Sequence, residues 1–269
     1  MALREVLRDL APPLLLRTVR TALGRGLRFE GEFASWTDAQ KASGGYDSAE
    51  IVRRVFEAEL KVKQGEAADA RDGVTFDEMQ FSLPVMAALA RAGASREVLR
   101  VLDLGGALGS LYRQYKAFLP GRRTSWTVVE QPAFVELGKE HFQNDELRFA
   151  SSLEGVLAAN PVDVALLSSV LQYLAEPHEA LRQIGGSGAA HLVIDRTPCS
   201  DLERDVLTVQ RVPAEIYPAS YPCWILSRPR LLESIGTRYA VFSAFADGGE
   251  WRCSAGRFEL AGFILDRRA

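Results

Sequence analysis

The chain has 269 residues, of which 47% are apolar and 25% are charged, a composition typical of a globular protein. Thirty-two basic and 35 acidic side chains leave a net charge of −3, which argues against a broad basic surface for nucleic acid. No apolar run approaches the ~20 residues that span a bilayer. The three cysteines are widely spaced, so we expect no disulfide scaffold and no metal site, and a cytoplasmic location fits.

The first 28 residues differ from the rest of the chain in charge. They contain six arginines and two acidic residues, and their leucines and valines recur at helical spacing. This pattern predicts a basic amphipathic helical arm over residues 1–28. The arm is expected to pack on its own domain or on a second copy in a homodimer. The alternative is a helix that lies on an anionic membrane face, which would make the protein peripheral to the inner membrane.

Residues 29–98 are predicted to form a mainly helical cap. Apolar residues at helical spacing predict one helix over 49–64. A second helix is predicted over 84–92, where a proline in the first turn loses no hydrogen bond. The charged stretch 65–73 between these helices is expected to be a loop.

From residue 99 onwards, strand-like and helical segments alternate, which predicts a mostly parallel sheet with helices on both faces. The predicted strands cover 99–105, 125–131, 146–151, 162–169 and 190–196, and the predicted helices cover 109–118, 132–142, 153–159 and 171–184. Two further strands, 239–247 and 257–267, are close enough in sequence to form a terminal antiparallel hairpin. The expected fold class over 99–269 is therefore α/β.

The carboxyl ends of the strands are where an open parallel sheet binds its ligand. The first predicted strand ends near Asp103, and Gly105, Gly106 and Gly109 follow it in a turn that lets the backbone approach a ligand. An acid there would repel a pyrophosphate and attract an amino group, and the glycine spacing is not that of a dinucleotide site. Glu130 ends the second strand, positioned to accept hydrogen bonds from both ribose hydroxyls. S-adenosylmethionine fits these features, whereas NAD does not.

Several stretches resemble a known enzyme family. VLDLGGALGS, the acid in VVEQP and LLSSVLQYLAEPHEAL resemble successive motifs of class I S-adenosylmethionine-dependent methyltransferases. More narrowly, FEGEFASWTDAQKASGGYDS, VIDRTP and IYPASYPCW resemble a bacterial branch of methyltransferases often encoded among surface-polysaccharide biosynthesis genes. The resemblance covers residues 29–267. It implies a Rossmann-like methyltransferase sheet, S-adenosyl-L-methionine as cofactor, S-adenosyl-L-homocysteine as product, and O-methylation of a small-molecule or saccharide acceptor.

The resemblance also implies which residues bind the cofactor. Asp103 and the three glycines after it would line the methionine and ribose side. Glu130 would hold the ribose, and Gln131 would lie against the adenine edge.

Two pairs of serines complete the implied cofactor site. Ser151 and Ser152 stand where many relatives carry an aspartate against the adenine amino group, so a hydroxyl or a backbone carbonyl would replace that contact. Ser168 and Ser169 end the fourth strand, where the methionine moiety and the methyl group should lie. Both of these serines have the alternative of simply terminating a buried strand.

An alcohol acceptor usually needs a general base, and the sequence offers few candidates. Asp195 and Arg196 close the fifth strand at the edge that faces the acceptor in this architecture. Asp195 is the candidate base and Arg196 a candidate for binding an acidic acceptor, with a salt bridge that holds the loop as the alternative. His178, at a helix start near the same edge, is the other catalytic candidate.

The segment 197–227 is too long for a plain connection and contains aromatic residues among prolines. We predict that it forms a lid in which Tyr217, Tyr221 and Trp224 recognise the acceptor. Tyr46, in a Gly-Gly-Tyr turn, is a further substrate-binding candidate, with core packing as its alternative.

Other functions stay open at this point. An N-methyltransferase of a natural-product pathway would use the same cofactor site. A NAD-dependent oxidoreductase on a similar sheet is disfavoured by Asp103 and by the glycine spacing. A module that binds the cofactor without catalysis is allowed by the lack of a clear base. A nucleic-acid methyltransferase is disfavoured by the net charge and by the absence of an Asn/Asp-Pro-Pro-Tyr motif.

Overall fold

The computed structural model describes residues 27–44, 49–159, 161–213, 219–247 and 249–268. Almost all of the predicted basic arm lies outside these residues, as do the two substrate-binding candidates Tyr46 and Tyr217. In the part of the chain that is described, no helix is both long and apolar enough to cross a membrane.

The described residues contain 13 strands and eight α-helices, numbered here in chain order. The strands are β1 (Arg28–Glu30), β2 (Asp69–Arg71), β3 (Val74–Phe76), β4 (Val98–Leu104), β5 (Arg123–Val129), β6 (Leu147–Ala150), β7 (Val164–Ser168), β8 (His191–Ser200), β9 (Val206–Arg211), β10 (Ser220–Ser227), β11 (Tyr239–Ala246), β12 (Trp251–Cys253) and β13 (Gly256–Arg267). The helices are α1 (Trp36–Lys41), α2 (Ala49–Gln64), α3 (Leu83–Gly93), α4 (Ser110–Phe118), α5 (Pro132–His141), α6 (Leu153–Ala159), α7 (Pro177–Gly186) and α8 (Arg228–Ile235). A short 3-10 turn covers Leu171–Tyr173.

The centre of the large sheet consists of five parallel strands in the order β8-β7-β4-β5-β6. The chain runs from β4 outwards to β6 and then returns to β7 on the other side of β4, so the strand order reverses between β4 and β7. In register, Val101 of β4 lies between Trp126 of β5 and Val164 of β7. The predicted parallel sheet is confirmed, and the reversal point is where such sheets bind ligands.

Helices cover both faces of this sheet. On β7, Val164 and Leu166 belong to a core cluster with α2, α3, α4 and α5, whereas Ala165 and Leu167 belong to a second cluster with α6, α7 and α8. Successive side chains of a strand point to opposite faces, so each strand serves both clusters. Burial on both faces explains why β7 reads as a continuous apolar run.

The terminal strands add an antiparallel edge. β13 pairs with β8 in the large sheet, and β11 and β12 both pair with β13. The predicted terminal hairpin is therefore confirmed, with the short strand β12 as an addition. The predicted helix over 171–184 is divided into the 3-10 turn and α7, because Glu176 precedes a proline and takes a non-helical conformation.

The sequence predicts a lid over 197–227, whereas most of the described residues of this segment belong to the strands β8, β9 and β10. β8 runs past the end of β7, and Leu226 of β10 pairs in parallel with Cys199 of β8. β9 pairs antiparallel with β10, and β1 pairs antiparallel with β9. These three strands, called here the sheet extension, stand beyond the carboxyl ends of the central strands. Val206–Gln210 of β9 are all buried, so a sheet satisfies their backbone hydrogen bonds where a mobile lid would not.

The region 29–98 is less helical than predicted. The two predicted helices are present as α2 and α3, but the expected loop between them contains the hairpin β2–β3. Asp72 and Gly73 form its turn with φ of 51° and 77°, the left-handed pair that a two-residue hairpin turn requires. Asp69 anchors the hairpin, since its buried carboxylate accepts from the backbone N–H of Gln80 and from Nε2 of Gln114 on α4.

We expect Asp69→Ala to destabilise the protein by roughly 1–3 kcal/mol, because three donors, on Ala70, Gln80 and Gln114, lose a buried acceptor. Urea unfolding followed by circular dichroism measures this. Asp77→Ala, at an exposed position of the same region, is the matched control and should change stability by less than about 0.5 kcal/mol. Equal stability of the two variants would contradict the anchoring role.

Candidate functional site

Two cavities meet at the carboxyl edge of β4, β5 and β7. The first has a volume of about 450 Å³ and lies between the central sheet, the β2–β3 hairpin and the sheet extension. The second has a volume of about 480 Å³ and lies between β5, β6 and the start of α7. Four residues border both cavities, and they mark a shared junction: Gly105, Glu130, Ser169 and Tyr173.

The loop between β4 and α4 forms the floor of the junction. A Cβ atom on Gly105 would lie 2.4 Å from Cγ2 of Val170, and its φ of 73° disfavours other residues. A Cβ atom on Gly106 would lie 2.4 Å from Oδ2 of Asp103. The loop therefore passes directly over the Asp103 carboxylate, and only glycine allows this approach.

Asp103 lies behind the loop and not in a cavity wall. Its side chain is fully buried, Oδ2 accepts a hydrogen bond from Nε1 of Trp126 at 3.0 Å, and Oδ1 has no partner in the described structure. Burial raises the pKa of this carboxyl to about 7, against the hydrogen bond from Trp126, which lowers it. In this geometry Asp103 supports the loop from below, whereas the sequence predicts that it contacts the cofactor.

Glu130 stands at the junction with both carboxylate oxygens fixed by the backbone. Oε2 accepts from the N–H of Gln131 at 2.8 Å, and Oε1 accepts from the N–H of Ala107 at 3.3 Å. Burial raises the pKa of this carboxyl, while the two backbone hydrogen bonds lower it. A carboxylate oxygen has two acceptor sites, so each oxygen can still receive one hydrogen bond from a ligand.

Most of the predicted cofactor residues line the cavities, and three do not. Gln131 and Ser151 line the second cavity together with the apolar side chains of Leu153 and Val170. Ser152 instead caps α6 by accepting from the N–H of Gly155. The predicted residues found in cavity walls are Gly105, Gly106, Glu130, Gln131, Ser151, Ser168 and Ser169, and those that do not line either cavity are Asp103, Gly109 and Ser152.

A hydrogen-bonded group joins the end of β7 to the middle of β8. It consists of Ser168, the last residue of β7, and of Asp195 and Arg196 within β8. Ser168 Oγ, which borders the first cavity, donates to Asp195 Oδ2 at 2.9 Å and accepts from Arg196 Nη2 at 2.9 Å. Ser82 Oγ also donates to Asp195 Oδ2, at 3.3 Å. Asp195 is 1% exposed and borders a third cavity of about 560 Å³, which adjoins the first through Arg196.

His178 lies away from these cavities, contrary to its predicted catalytic place. Its Nδ1 is 2.7 Å from Ser234 Oγ on α8, and its Nε2 is 2.9 Å from Asp205 Oδ2 before β9. Asp205 Oδ1 in turn accepts from the N–H of Ser227. These contacts tie α7 to α8 and to the sheet extension, which is a structural role.

Of the predicted acceptor residues, Tyr221 borders the first cavity and Trp224 does not. Tyr221 meets Tyr173 edge to face, with ring centroids 5.2 Å apart. Trp224 stacks on Trp36 at 6.3 Å and donates from Nε1 to the carbonyl of Leu174. A spacing of three residues on one strand puts the two side chains on opposite faces, so both cannot face the cavity.

A row of three side chains on the sheet extension was not predicted. Phe29, Gln210 and Tyr221 are neighbours in register across β1, β9 and β10, and all three border the first cavity. Tyr173 donates from its hydroxyl to Gln210 Oε1 at 3.1 Å. The β2–β3 hairpin was also missed, although Asp-Gly between strand-forming residues is a recognised hairpin signal.

Backbone strain is concentrated at the first cavity. Among the described residues, four that are not glycine have a positive φ: Asp72 (51°), Ala107 (47°), Ser169 (57°) and Arg196 (49°). All four border the first cavity. Such conformations cost about 1–3 kcal/mol each and persist where the surroundings enforce them, typically at ligand sites.

The comparisons with known proteins identify a fold. No protein-family model and no curated protein matches the chain in sequence. The crystal structure of the N-terminal domain of EvdMO1 with SAH bound is similar over 83% of this chain and 98% of that chain, with 17% identity and a TM-score of 0.50. The crystal structure of an S-adenosylmethionine-dependent methyltransferase from Clostridium acetobutylicum is similar over 79% of this chain and 98% of that chain, with 9% identity and a TM-score of 0.49. The first likeness, together with the strand order of the central sheet, confirms the predicted Rossmann-like fold.

The buried Asp103 predicts a pH-dependent stability. Because its pKa is about 7 in the folded chain and 3.8 without perturbation, the folded state holds the proton more tightly, so stability falls as pH rises from about 4 to about 7. The slope is at most on the order of 1.4 kcal/mol per pH unit. Urea unfolding at pH 5 and pH 8 should show a smaller decrease for Asp103→Asn than for the wild type. Asp145→Asn, at an exposed position, should behave as the wild type does, and an identical decrease in all three would contradict the assignment.

Proposed function

We propose that this chain is an S-adenosyl-L-methionine-dependent methyltransferase that methylates a hydroxyl group of a small molecule or saccharide. The observation that carries the proposal is Glu130 at the junction of two cavities, with its oxygens fixed by the backbone N–H groups of Ala107 and Gln131. A carboxylate held in this way is suited to accept from the two hydroxyls of a ribose. The EvdMO1 domain, which has the same fold, was crystallised with SAH bound.

The residues present fit such a cofactor. The second cavity offers a nucleobase apolar walls and the polar side chains of Gln131 and Ser151. On the other side of Glu130, the first cavity begins at Gly105 and Gly106, where side chains would fill the space above the loop. An adenine, a ribose and an amino-acid tail would thus occupy the second cavity, the junction and the first cavity in turn.

The cofactor, when bound, supplies a methyl group activated by a positively charged sulfur. The chain's own tasks are to hold the acceptor in line, to exclude water and to remove the hydroxyl proton. The row of Phe29, Gln210 and Tyr221 forms one wall of the first cavity and combines apolar rings with an amide. Such a wall suits a sugar ring, which has apolar faces and hydroxyl edges.

We assign to Asp195 the role of the base that takes up the acceptor's hydroxyl proton, by way of Ser168. An acceptor hydroxyl that donates to Ser168 Oγ would pass its proton to that oxygen while the serine proton moves to Asp195 Oδ2, 2.9 Å away. Arg196 keeps Ser168 oriented by donating to the same oxygen. Asp195 thus acts as the base without touching the cofactor. The saccharide acceptor is supported by the sheet-extension wall of the first cavity and by the sequence resemblance, and a role in surface-polysaccharide biosynthesis by the resemblance.

We expect Glu130→Gln to weaken the binding of S-adenosylhomocysteine about 10- to 100-fold, equivalent to about 1–3 kcal/mol for a lost charge-assisted hydrogen bond. Isothermal titration calorimetry of the full chain measures this. Glu136→Gln, at an exposed position of α5, is the matched control and should bind as the wild type does. If the wild type does not bind S-adenosylhomocysteine, or if both variants bind it equally well, the proposed function fails.

We expect Asp195→Asn and Ser168→Ala to lower kcat at least tenfold while the Kd of S-adenosylhomocysteine changes less than about twofold. Transfer of labelled methyl to a panel of saccharides provides the readout. A lower kcat with an unchanged Kd of S-adenosylhomocysteine would assign both side chains to the transfer step. A kcat that does not change would exclude Asp195 as the base and would favour an amine acceptor, which needs no such group.

A further inference from the structure

Two arginines face the space where the first and third cavities adjoin. Arg71 is the last residue of β2 in the anchored hairpin, and Arg196 lies within β8. Each of these two arginines lines the first cavity and the third cavity. They come from distant parts of the chain, so their meeting is a property of the fold and not of a local motif.

The charge of Arg71 is not neutralised at close range. Its Nη2 donates to the backbone carbonyl of Gln80 at 3.1 Å, and it forms no ion pair with a carboxylate of the described residues. Three acids act on Arg71, and two of them, Asp72 and Asp247, are exposed on the cavity rim, where water screens them. The third, Asp69, is buried, and its oxygens accept from the backbone N–H groups of Ala70 and Gln80 and from Nε2 of Gln114. Burial, and then the positive charge of Arg196, lower the pKa of Arg71, while these acids raise it.

The other acids of this region already have partners. Glu59 forms an ion pair with Arg113 on α4. Asp195 accepts from Ser168 and Ser82 and lies 3.4 Å from Nε of Arg196. An arginine side chain keeps its proton in proteins, so both guanidinium groups stay charged. Of the two, only Arg196 has a carboxylate of the described residues, that of Asp195, within ion-pair distance. A bound anion would relieve the repulsion between the two guanidinium groups.

Two buried polar atoms at this place, one of Arg196 itself and one of the neighbouring Gln172, lack hydrogen-bond partners among the described residues. Arg196 Nε is buried and has no acceptor at hydrogen-bond geometry. Gln172 is 2% exposed and borders the first cavity; its Nε2 donates to Ser169 Oγ at 3.0 Å, while its Oε1 has no donor among the described residues. Buried polar atoms usually have a partner, so a ligand group is the natural one here.

We propose that the acceptor of this enzyme carries an anionic group, a carboxylate or a phosphate, bound by Arg71 and Arg196, with a hydroxyl that donates to Gln172 Oε1. A guanidinium presents two parallel donors and suits either anion. This inference rests on the proposed function and adds the charge of the acceptor to it. A sugar acid and a sugar phosphate are the two sources of such an anion.

Three probes separate these sources: D-glucuronate, D-glucose 6-phosphate and the neutral D-glucose. Each is titrated at constant ionic strength into the full chain saturated with S-adenosylhomocysteine. At least one of the two anionic probes should bind at least tenfold more tightly than D-glucose. Which of them binds more tightly identifies a carboxylate or a phosphate site. If neither anion binds more tightly than D-glucose, the proposal is overturned.

Variants of Arg71 assign this preference to the arginine. Arg71→Gln should lose most of the tenfold preference, and Arg71→Lys, which keeps the charge but not the paired donors, should lose part of it. Arg148→Gln, an exposed arginine on β6, should keep the full preference. An unchanged preference in Arg71→Gln would overturn the proposal.

S-adenosylhomocysteine and 5′-methylthioadenosine test whether Arg71 instead binds the carboxylate of the cofactor. Arg71→Gln should bind both compounds within about twofold of the wild type, which also shows that the variant is folded. A selective loss of S-adenosylhomocysteine binding would assign Arg71 to the cofactor and overturn the acceptor site. That result would leave the methyltransferase function standing, whereas a wild type that binds neither compound would refute that function.

Discussion

The burial of one carboxylate beneath one loop determines the geometry of the whole site. Asp103 ends the central strand β4, receives its hydrogen bond from Trp126 on β5, and has the loop at Gly106 in direct contact above it. This contact sets the height of the loop and therefore the place of the Ala107 N–H, which holds Glu130. The carboxylate at the junction of the two cavities is thus positioned by a second carboxylate that is buried behind the loop.

The central sheet and its helices could be predicted from the sequence because their apolar patterns are local. β7 is a short apolar run, and β4 is apolar apart from Arg100 and Asp103; burial on both faces is the direct cause of such runs. The sheet extension could not be predicted in the same way. β9 pairs with β10, which is close in sequence, and with β1, which is about 180 positions earlier. No local pattern in the sequence shows that these strands join the large sheet.

The site was predictable to the extent that residues follow strand ends. Glu130, Ser168 and Ser169 come directly after or at the end of parallel strands, and the sheet brings them to one edge. Which way a side chain points is a different question. Trp224 faces away from the cavity, and His178 is held by Asp205, because neighbouring elements decide these orientations and a single sequence does not show them.

One wall of the first cavity is made of hydrogen-bonded strands, and this determines how the cavity can vary. In the sheet extension, the backbone pairs hold the wall in place whichever side chains stand in the row of Phe29, Gln210 and Tyr221. A substitution in that row changes the shape and polarity of the cavity while leaving the strand pairing intact. Single substitutions in this row therefore remodel the cavity without a new loop and without loss of the fold.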